Sequence, residues 1–374
     1  MLAATKTFLL LIFSKTPLLL ALVFSQFIAD AQQPHKGADE LLQQIMHKEH
    51  IPGLAYAVIK NGKVLHMGTL GKAHVGLNVP VTKETTFQLA SVSKIYCAML
   101  LGKLFDAGLL QPQQTLGNLL PQSPEAWKAI TIQQLAAHQS GIKIADFSKA
   151  TDSKGAFELA AKMDMEYSPG TKEAYVSSDY WVLQHIIETV TGMRYFDALE
   201  KWVLQPLQLQ HTFVNNPKVG ALTDLDIVPG QAQEYHWFKE DSTLRINQMW
   251  FGATGYTAGG IYSSIEDMAK LAAVMDAASF VSANTKQLIS TPLALADGKP
   301  GHFGLGLIVN NDYQGHKIVE HSGGPALADF VRFEREGLTF IVLTNNRGVY
   351  PYLAKSLATL FIKALKQPTV PDGY

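Results

Sequence analysis

The pattern of hydrophobic and polar positions divides the chain into two strand-rich ends and a helical middle. Apolar residues recur at helical spacing over 39–49, which predicts a terminal helix. Apolar runs over 54–60 and 63–69 flank Asn61-Gly62, a dipeptide typical of a type I′ β-hairpin turn. The N-terminal part of the fold is therefore expected to contain one helix and two strands.

The C-terminal end mirrors this arrangement. Residues 317–321, 330–334 and 338–344 alternate or run apolar between glycine-containing turns, which predicts three more strands. A last helix is expected over about 351–366. Strands from both ends of the chain are therefore expected to share one sheet.

The middle of the chain, about 86–265, shows loops and amphipathic helical stretches such as 180–190. No repeat and no Gly/Ser linker separates it from the two ends. We therefore expect a single α+β domain over 32–374, in which an antiparallel sheet is flanked by the N- and C-terminal helices. The sheet lobe is formed by about 38–85 and 266–366, and a mostly helical lobe is inserted into it. A cleft between the lobes is the expected place for a site.

Composition and charge exclude several classes of protein. Of 374 residues, 47% are hydrophobic and 17% are charged, which is typical of a globular protein rather than a disordered chain. The 31 basic and 32 acidic side chains nearly balance, so we expect no nucleic-acid partner. The histidines show no H-E-x-x-H spacing, and the Rossmann, P-loop and G-x-S-x-G patterns are missing. We therefore expect no metal and no cofactor.

The first 31 residues have the features of a secretory signal peptide. Lys6 precedes apolar runs, and Ala29-Asp30-Ala31 forms an A-x-A cleavage site. An uncleaved membrane anchor is the alternative, although the apolar run falls short of the roughly 20 residues that span a bilayer. We expect a secreted, periplasmic bacterial protein without stable membrane insertion after cleavage. Cys97 is the single cysteine, so no intramolecular disulfide is possible.

The candidate chemistry begins with Ser91-Val92-Ser93-Lys94, an S-x-x-K motif at the start of an apolar helix expected to end near Gly108. Three positions apart on a helix, Ser91 and Lys94 project from one face, so the amine can take the hydroxyl proton. Backbone N–H groups at a helix N-terminus also favour a developing oxyanion. An ordinary helix start with a solvated lysine is the alternative, but the apolar residues around Lys94 favour its burial and its use as a base.

Two further segments can face the same site. Tyr175 lies in a turn-rich loop, where its phenol can act as a phenolate or a proton relay, and a packing role is the alternative. His321 ends a strand before Gly323-Gly324, where the backbone can approach a ligand closely. In this interpretation His321 lines the cleft, and the Gly324 N–H joins the Ser91 N–H in an oxyanion hole. The alternative is a strand-to-turn junction with a surface histidine.

In this order, the three elements resemble the serine β-lactamase-related family, which includes class C β-lactamases, D-Ala-D-Ala carboxypeptidases and β-lactamase-fold esterases. Segments 135–141, 257–264 and 303–307 resemble further parts of that family, so the likeness covers nearly the whole chain after residue 31. The resemblance implies a β-lactamase/transpeptidase-like fold. It also implies acylation of Ser91 with the help of the lysine and the tyrosine, followed by hydrolysis of the acyl-enzyme.

The resemblance places Ser177, His321 and Gly323 at the substrate. The first two depart from the family's pattern. Ser177 stands two residues after Tyr175, where the family usually has asparagine. His321 stands where many β-lactamases have lysine, and histidine is a weaker, pH-dependent cation for a substrate carboxylate. These changes disfavour β-lactam turnover and favour ester or peptide cleavage.

We therefore expect a serine hydrolase, esterase- or D-Ala-D-Ala carboxypeptidase-like, that acts as a monomer on a small-molecule or peptidoglycan-derived substrate. Two alternatives stay open, namely a β-lactamase and a non-catalytic protein of the same fold that binds peptidoglycan-derived ligands. Covalent labelling that Ser91→Ala abolishes would separate an enzyme from a binding protein.

Overall fold

The fold was analysed in a computed structural model that describes residues 35–144, 150–215, 218–219, 223–249, 251–252, 254–276, 280–324, 327–348 and 352–369. The predicted signal peptide lies outside the described residues. Within these ranges, no helix combines the length and the apolar character needed to cross a membrane.

The α-helices are α1 Lys36–Lys48, α2 Ser93–Asp106, α3 Leu116–Leu119, α4 Ile132–Ala136, α5 Ser153–Ala160, α6 Ser177–Thr191, α7 Tyr195–Leu199, α8 Gln205–Leu207, α9 Ile265–Asp276, α10 Ala283–Ser290 and α11 Leu353–Ala358. Short 3₁₀ turns cover Ala90–Val92 and Glu125–Trp127, and a π-helical turn covers Glu200–Leu204.

The strands are β1 Gly53–Lys60, β2 Lys63–His74, β3 Val79–Pro80, β4 Thr86–Gln88, β5 Thr212–Val214, β6 Lys218–Val219, β7 Thr223–Asp224, β8 Tyr235–Phe238, β9 Thr243–Ile246, β10 Ile261–Ser264, β11 Ile308–Tyr313, β12 His316–Gly323, β13 Ala328–Phe333, β14 Leu338–Thr344 and β15 Asn346–Arg347.

The main sheet joins the two ends of the chain, as the sequence predicts. Its order is β11-β12-β13-β14-β1-β2-β3, and each neighbouring pair is antiparallel. In the centre, Ala57 of β1 pairs with Ile341 of β14 on one side and with Met67 of β2 on the other. The predicted α+β class is therefore confirmed.

The hairpin between β1 and β2 has the predicted turn. Asn61 and Gly62 have φ values of 48° and 75°, and two left-handed residues in succession define the type I′ geometry. The Asn61 N–H also donates to the Gly337 carbonyl, 2.8 Å away, which ties this turn to the turn between β13 and β14.

Both faces of the main sheet are buried. Ala55, Ala57 and Ile59 of β1 belong to the large core shared with α2, α6 and α9. The alternate residues Leu54, Tyr56 and Val58 pack in a second core under the terminal helices α1 and α11. Because successive strand side chains point to opposite faces, this eight-residue strand supplies both cores.

Two expectations about the elements are corrected. The last helix was expected over 351–366, but α11 ends at Ala358. From Thr359 to Phe361 the backbone N–H groups bond to the carbonyl three residues earlier, so the chain tightens into turns. The middle of the chain also contains more strand than expected, because 212–264 forms three small sheets together with β4 and β15.

Candidate active site

Ser91 lies on the 3₁₀ turn that precedes α2, and this turn is pressed against the end of β12. A Cβ atom at Gly323 would lie 1.9 Å from the Leu89 carbonyl oxygen, so only glycine permits this approach. Ala90 adopts a left-handed backbone with φ 45°, an unfavourable conformation for a residue with a side chain. Ser91 itself is partly exposed. The nucleophile candidate therefore sits on a tightly constrained turn at the protein surface.

Lys94 is fully buried one turn further along, as expected. Its Nζ donates a hydrogen bond to the Ala258 carbonyl oxygen, 2.8 Å away. The amine also lies 5.0 Å from the ring centre of Tyr175 and 4.8 Å from that of Tyr180. Among the described residues no carboxylate comes within 4.0 Å of it. The amine is therefore held inside the protein by a backbone carbonyl and two aromatic rings rather than by an ion pair.

The segment that carries Ala258 is held by contacts on both sides. The Thr257 hydroxyl donates to the Tyr180 carbonyl at 2.7 Å, and the Ile261 N–H donates to the Ser93 hydroxyl at 3.1 Å. Ala258 therefore stays in a constant position relative to α2. Segment 257–264 resembles a family segment, but its role is not visible in the sequence, because the contact is made by a backbone carbonyl and leaves no side-chain signature.

Tyr175 borders the same site from the loop before α6. Its side chain is 47% exposed, and its ring centre lies 4.5 Å from that of His138 and 6.1 Å from that of His321. The loop is anchored by Glu173, whose carboxylate accepts a hydrogen bond from the His302 N–H at 2.9 Å. The structure thus brings Lys94, Tyr175 and His321 together around one place.

His321 is buried, and this changes its expected charge. Burial, reinforced by the Lys94 amine, lowers the pKa of His321 to about 3, so the ring is neutral near pH 7. Its Nδ1 lies 2.8 Å from the Ser322 carbonyl oxygen, which can only accept, so Nδ1 carries the hydrogen. Nε2 is then an acceptor, and it has no hydrogen-bond partner within the described ranges. The expectation of a pH-dependent cation here is wrong.

The other predicted site residues have definite places. Ser177 is the first residue of α6 and is partly buried. Gly323 ends β12 and packs on Leu89, and Gly324 follows as an exposed turn residue. The oxyanion-hole role of the Ser91 and Gly324 N–H groups stays a prediction, as does substrate contact by Ser177 and Gly323.

A buried histidine–aspartate pair beside Tyr175 was not assigned any role from the sequence. His138 Nδ1 lies 3.1 Å from Asp179 Oδ2, and both side chains are almost fully buried. Burial, reinforced by Lys94 and His321, lowers the pKa of His138 well below its ordinary value. Burial likewise raises the pKa of Asp179 well above its ordinary value. The histidine of 135–141 was visible in the sequence, but its partner 41 residues away was not.

A separate group of possible metal ligands occurs elsewhere in the described part of the chain. Glu84, His211 and Glu266 each offer one ligand atom, and these atoms lie within 4.8 Å of one another. The three residues come from distant segments, so spacing along the sequence could not indicate the group. None of them belongs to the residues around Ser91.

Comparisons with known proteins agree with the resemblance seen in the sequence. Residues 38–358 match the family model described as Beta-lactamase. A Beta-lactamase of Escherichia coli K12 is 28% identical over 65% of this chain, and a Penicillin-binding protein 4 of Amycolatopsis lactamdurans is 32% identical over 48% of it. The matched parts span 61% and 49% of the lengths of these two relatives.

Two solved structures share the fold. An octameric penicillin-binding protein homologue from Pyrococcus abyssi superposes with a TM-score of 0.71 at 24% identity, over 87% of this chain and 77% of that one. A structure titled SurE superposes with a TM-score of 0.73 at 20% identity, over 91% and 79%. Since the family model covers both lobes and the whole site around Ser91, this chain belongs to the beta-lactamase family, the serine hydrolases and penicillin-binding proteins that share this fold.

Proposed function

We propose that this protein is a serine hydrolase that forms an acyl-enzyme at Ser91 and cleaves an ester bond in preference to a peptide or β-lactam bond. The observation that carries the proposal is the fully buried Lys94 amine, which lies one turn from Ser91 and in contact with Tyr175. A buried amine that contacts a tyrosine and lies one turn from a serine is in the position that a general base for that serine needs.

The proposed reaction uses these groups in two steps. In the first, Lys94 or Tyr175 takes the hydroxyl proton while Ser91 Oγ attacks the substrate carbonyl, and the proton passes to the departing alcohol. The N–H groups of Ser91 and Gly324 are assigned to the oxyanion. In the second step, water attacks the acyl carbonyl and gives up a proton to the same base, the bond from the acyl carbon to Ser91 Oγ breaks, the proton returns to Oγ, and the carboxylic acid leaves.

The preference for esters follows from the neutral imidazole of His321. A substrate carboxylate, such as that of a β-lactam or a D-Ala-D-Ala peptide, is recognised best by a cation or by hydrogen-bond donors. The free Nε2 of His321 is an acceptor, and an acceptor facing a carboxylate is repulsive. Ser177 also offers no amide N–H donor, unlike the asparagine usual in the family. Uncharged acyl groups are therefore the favoured substrates.

The test is a labelling and substrate-ranking experiment on the chain without the predicted signal peptide, residues 32–374. A fluorophosphonate probe is expected to label the parent and to leave Ser91→Ala unlabelled. A short-chain nitrophenyl ester, a chromogenic cephalosporin and a D-Ala-D-Ala peptide are then compared by kcat/KM, and the ester is expected to rank first. An unlabelled parent would support a non-catalytic ligand-binding protein, and a cephalosporin that ranks first would support a β-lactamase.

A further inference from the structure

The imidazole of His138 forms the inner wall of the Tyr175 site. Its side chain is 1% exposed. Its ring centre lies 4.5 Å from that of Tyr175, 5.3 Å from that of Tyr180 and 5.0 Å from that of Phe303. His138 follows α4 in a left-handed conformation with φ 57°, which turns the chain toward the Tyr175 loop. The side chain therefore packs against the tyrosine that borders Lys94.

Hydrogen bonds from both neighbours of Tyr175 end on His138. The Ala174 N–H donates to the His138 carbonyl oxygen at 3.0 Å. The Val176 N–H donates to His138 Nδ1 at 3.4 Å. One residue thus fixes the backbone on either side of the phenol, and the loop cannot shift Tyr175 without breaking one of these bonds.

Asp179 completes the arrangement by contacting the same ring nitrogen. The Val176 N–H is directed at Nδ1, so Nδ1 is assigned as an acceptor without a hydrogen of its own. Its single lone pair is then shared with the hydrogen between Nδ1 and Asp179 Oδ2, which is assigned to the carboxyl group. The Ser140 hydroxyl donates to the other carboxyl oxygen. The carboxyl group is fully buried, and burial raises its pKa, which favours this protonated form. The ring hydrogen of His138 then lies on Nε2.

We propose that His138, held by a protonated Asp179, is a positioning residue for Tyr175 and that its neutral ring carries the hydrogen on Nε2. Nε2 is buried and has no hydrogen-bond partner in the described ranges. The titratable and charged groups that face His138 are Lys94 from α2, Tyr167 and Tyr175 from the segment before α6, Asp179 and Tyr180 from α6, and His321 from β12. The inference rests on the proposed hydrolysis at Ser91.

The kinetic test uses four variants measured with the nitrophenyl ester. His138→Phe keeps an aromatic ring but removes both nitrogens, and it is expected to lower kcat by about tenfold to a hundredfold with little change in KM. Asp179→Leu is expected to do the same. Asp179→Asn is expected to restore most of the kcat that Asp179→Leu loses, because its amide can donate to Nδ1 while its oxygen accepts from Ser140. Tyr167→Phe removes a hydroxyl that donates to the His138 carbonyl and leaves both ring nitrogens in place, and it serves as the control.

The results separate the two proposals. A parent that is active and a His138→Phe variant with parental kcat and an unchanged pH profile would overturn the positioning role alone. Asp179→Asn falling as far as Asp179→Leu would overturn the protonated carboxyl. An inactive, unlabelled parent would overturn the proposed hydrolysis.

A spectroscopic measurement on the parent covers the case in which a variant fails to fold or the parent is inactive. Nitrogen-15 NMR of the imidazole is expected to show a neutral Nε2–H tautomer for His138 from pH 5 to pH 8, roughly the range over which an ordinary histidine titrates. A ring that titrates in that range, or one that carries its hydrogen on Nδ1, would overturn the inference.

Discussion

The Lys94 amine donates to the carbonyl oxygen of Ala258, 2.8 Å away, although the two residues are 164 positions apart. This contact holds the amine in place inside the protein, one turn from Ser91. Among the described residues this buried lysine forms no ion pair, so its position is better explained by a role in catalysis than by a contribution to folding stability.

Lys94→Met is expected to abolish ester hydrolysis, with a fall in kcat/KM of at least about a hundredfold, because it removes the amine that is proposed to take the serine proton. The fold should survive, since methionine fills the apolar volume without a buried charge. The matched control is Lys103→Met on the same helix. The Lys103 amine also donates to a carbonyl, that of Phe280, and lies over an aromatic ring. Equal losses in the two variants would contradict the catalytic role.

Gly323→Ala is expected to separate β12 from the turn that carries Ser91. The added Cβ would lie 1.9 Å from the Leu89 carbonyl oxygen, and neither backbone can move away cheaply. We expect a loss of about 2 kcal/mol or more in the free energy of unfolding, together with a slower rate of fluorophosphonate labelling. Gly76→Ala, where the nearest atom is a histidine ring carbon 3.5 Å away, should change neither quantity. Parental labelling by Gly323→Ala would refute the prediction.

His321→Lys is expected to shift substrate preference toward carboxylates. The comparison uses a nitrophenyl half-ester of a dicarboxylic acid and the matching neutral nitrophenyl ester. Replacing a neutral acceptor with a cation should raise the ratio of the two kcat/KM values by about tenfold or more. In the parent, the pKa of His321 is about 3, so ionisation of His321 should add no inflection to ester turnover between pH 5 and pH 8. An unchanged ratio in the variant would show that His321 does not contact this part of the substrate.

Asp329→Asn is expected to stabilise the protein more at neutral pH than in mild acid. Burial, reinforced by Glu320, raises the pKa of Asp329 from 3.8 to about 7, while its Oδ2 accepts from the Ala354 N–H at the start of α11. Between these values the unfolded chain loses the proton and the folded chain keeps it, so the parent loses stability as pH rises. The slope is at most about 1.4 kcal/mol per pH unit.

Urea unfolding of both proteins at pH 4.5, 6 and 7.5 measures this effect. The free energy of unfolding of Asp329→Asn minus that of the parent should increase at each step and level off above pH 7. A constant difference would mean that Asp329 titrates normally in the folded protein.

The parts of the fold and of the site that could be predicted from the sequence depend on neighbouring residues. Asn61-Gly62 specified its turn because a type I′ turn needs positive φ at both of its central residues, and asparagine and glycine tolerate that conformation. The S-x-x-K motif indicated the Ser91 site because helical spacing brings residues three apart onto one face. The apolar neighbours of Lys94 also predicted its burial.

What only the tertiary structure decided depends on residues far apart in the chain. The sequence allowed His321 to be a cation, but burial and the nearby Lys94 amine make it neutral. Likewise, the pairing of His138 with Asp179 follows from the way α6 packs against the segment after α4. The sequence by itself therefore determined which side chains are the candidates for nucleophile and base. The three-dimensional packing determined the protonation of His138 and His321 beside them, because burial and long-range contacts are what change the protonation of a side chain.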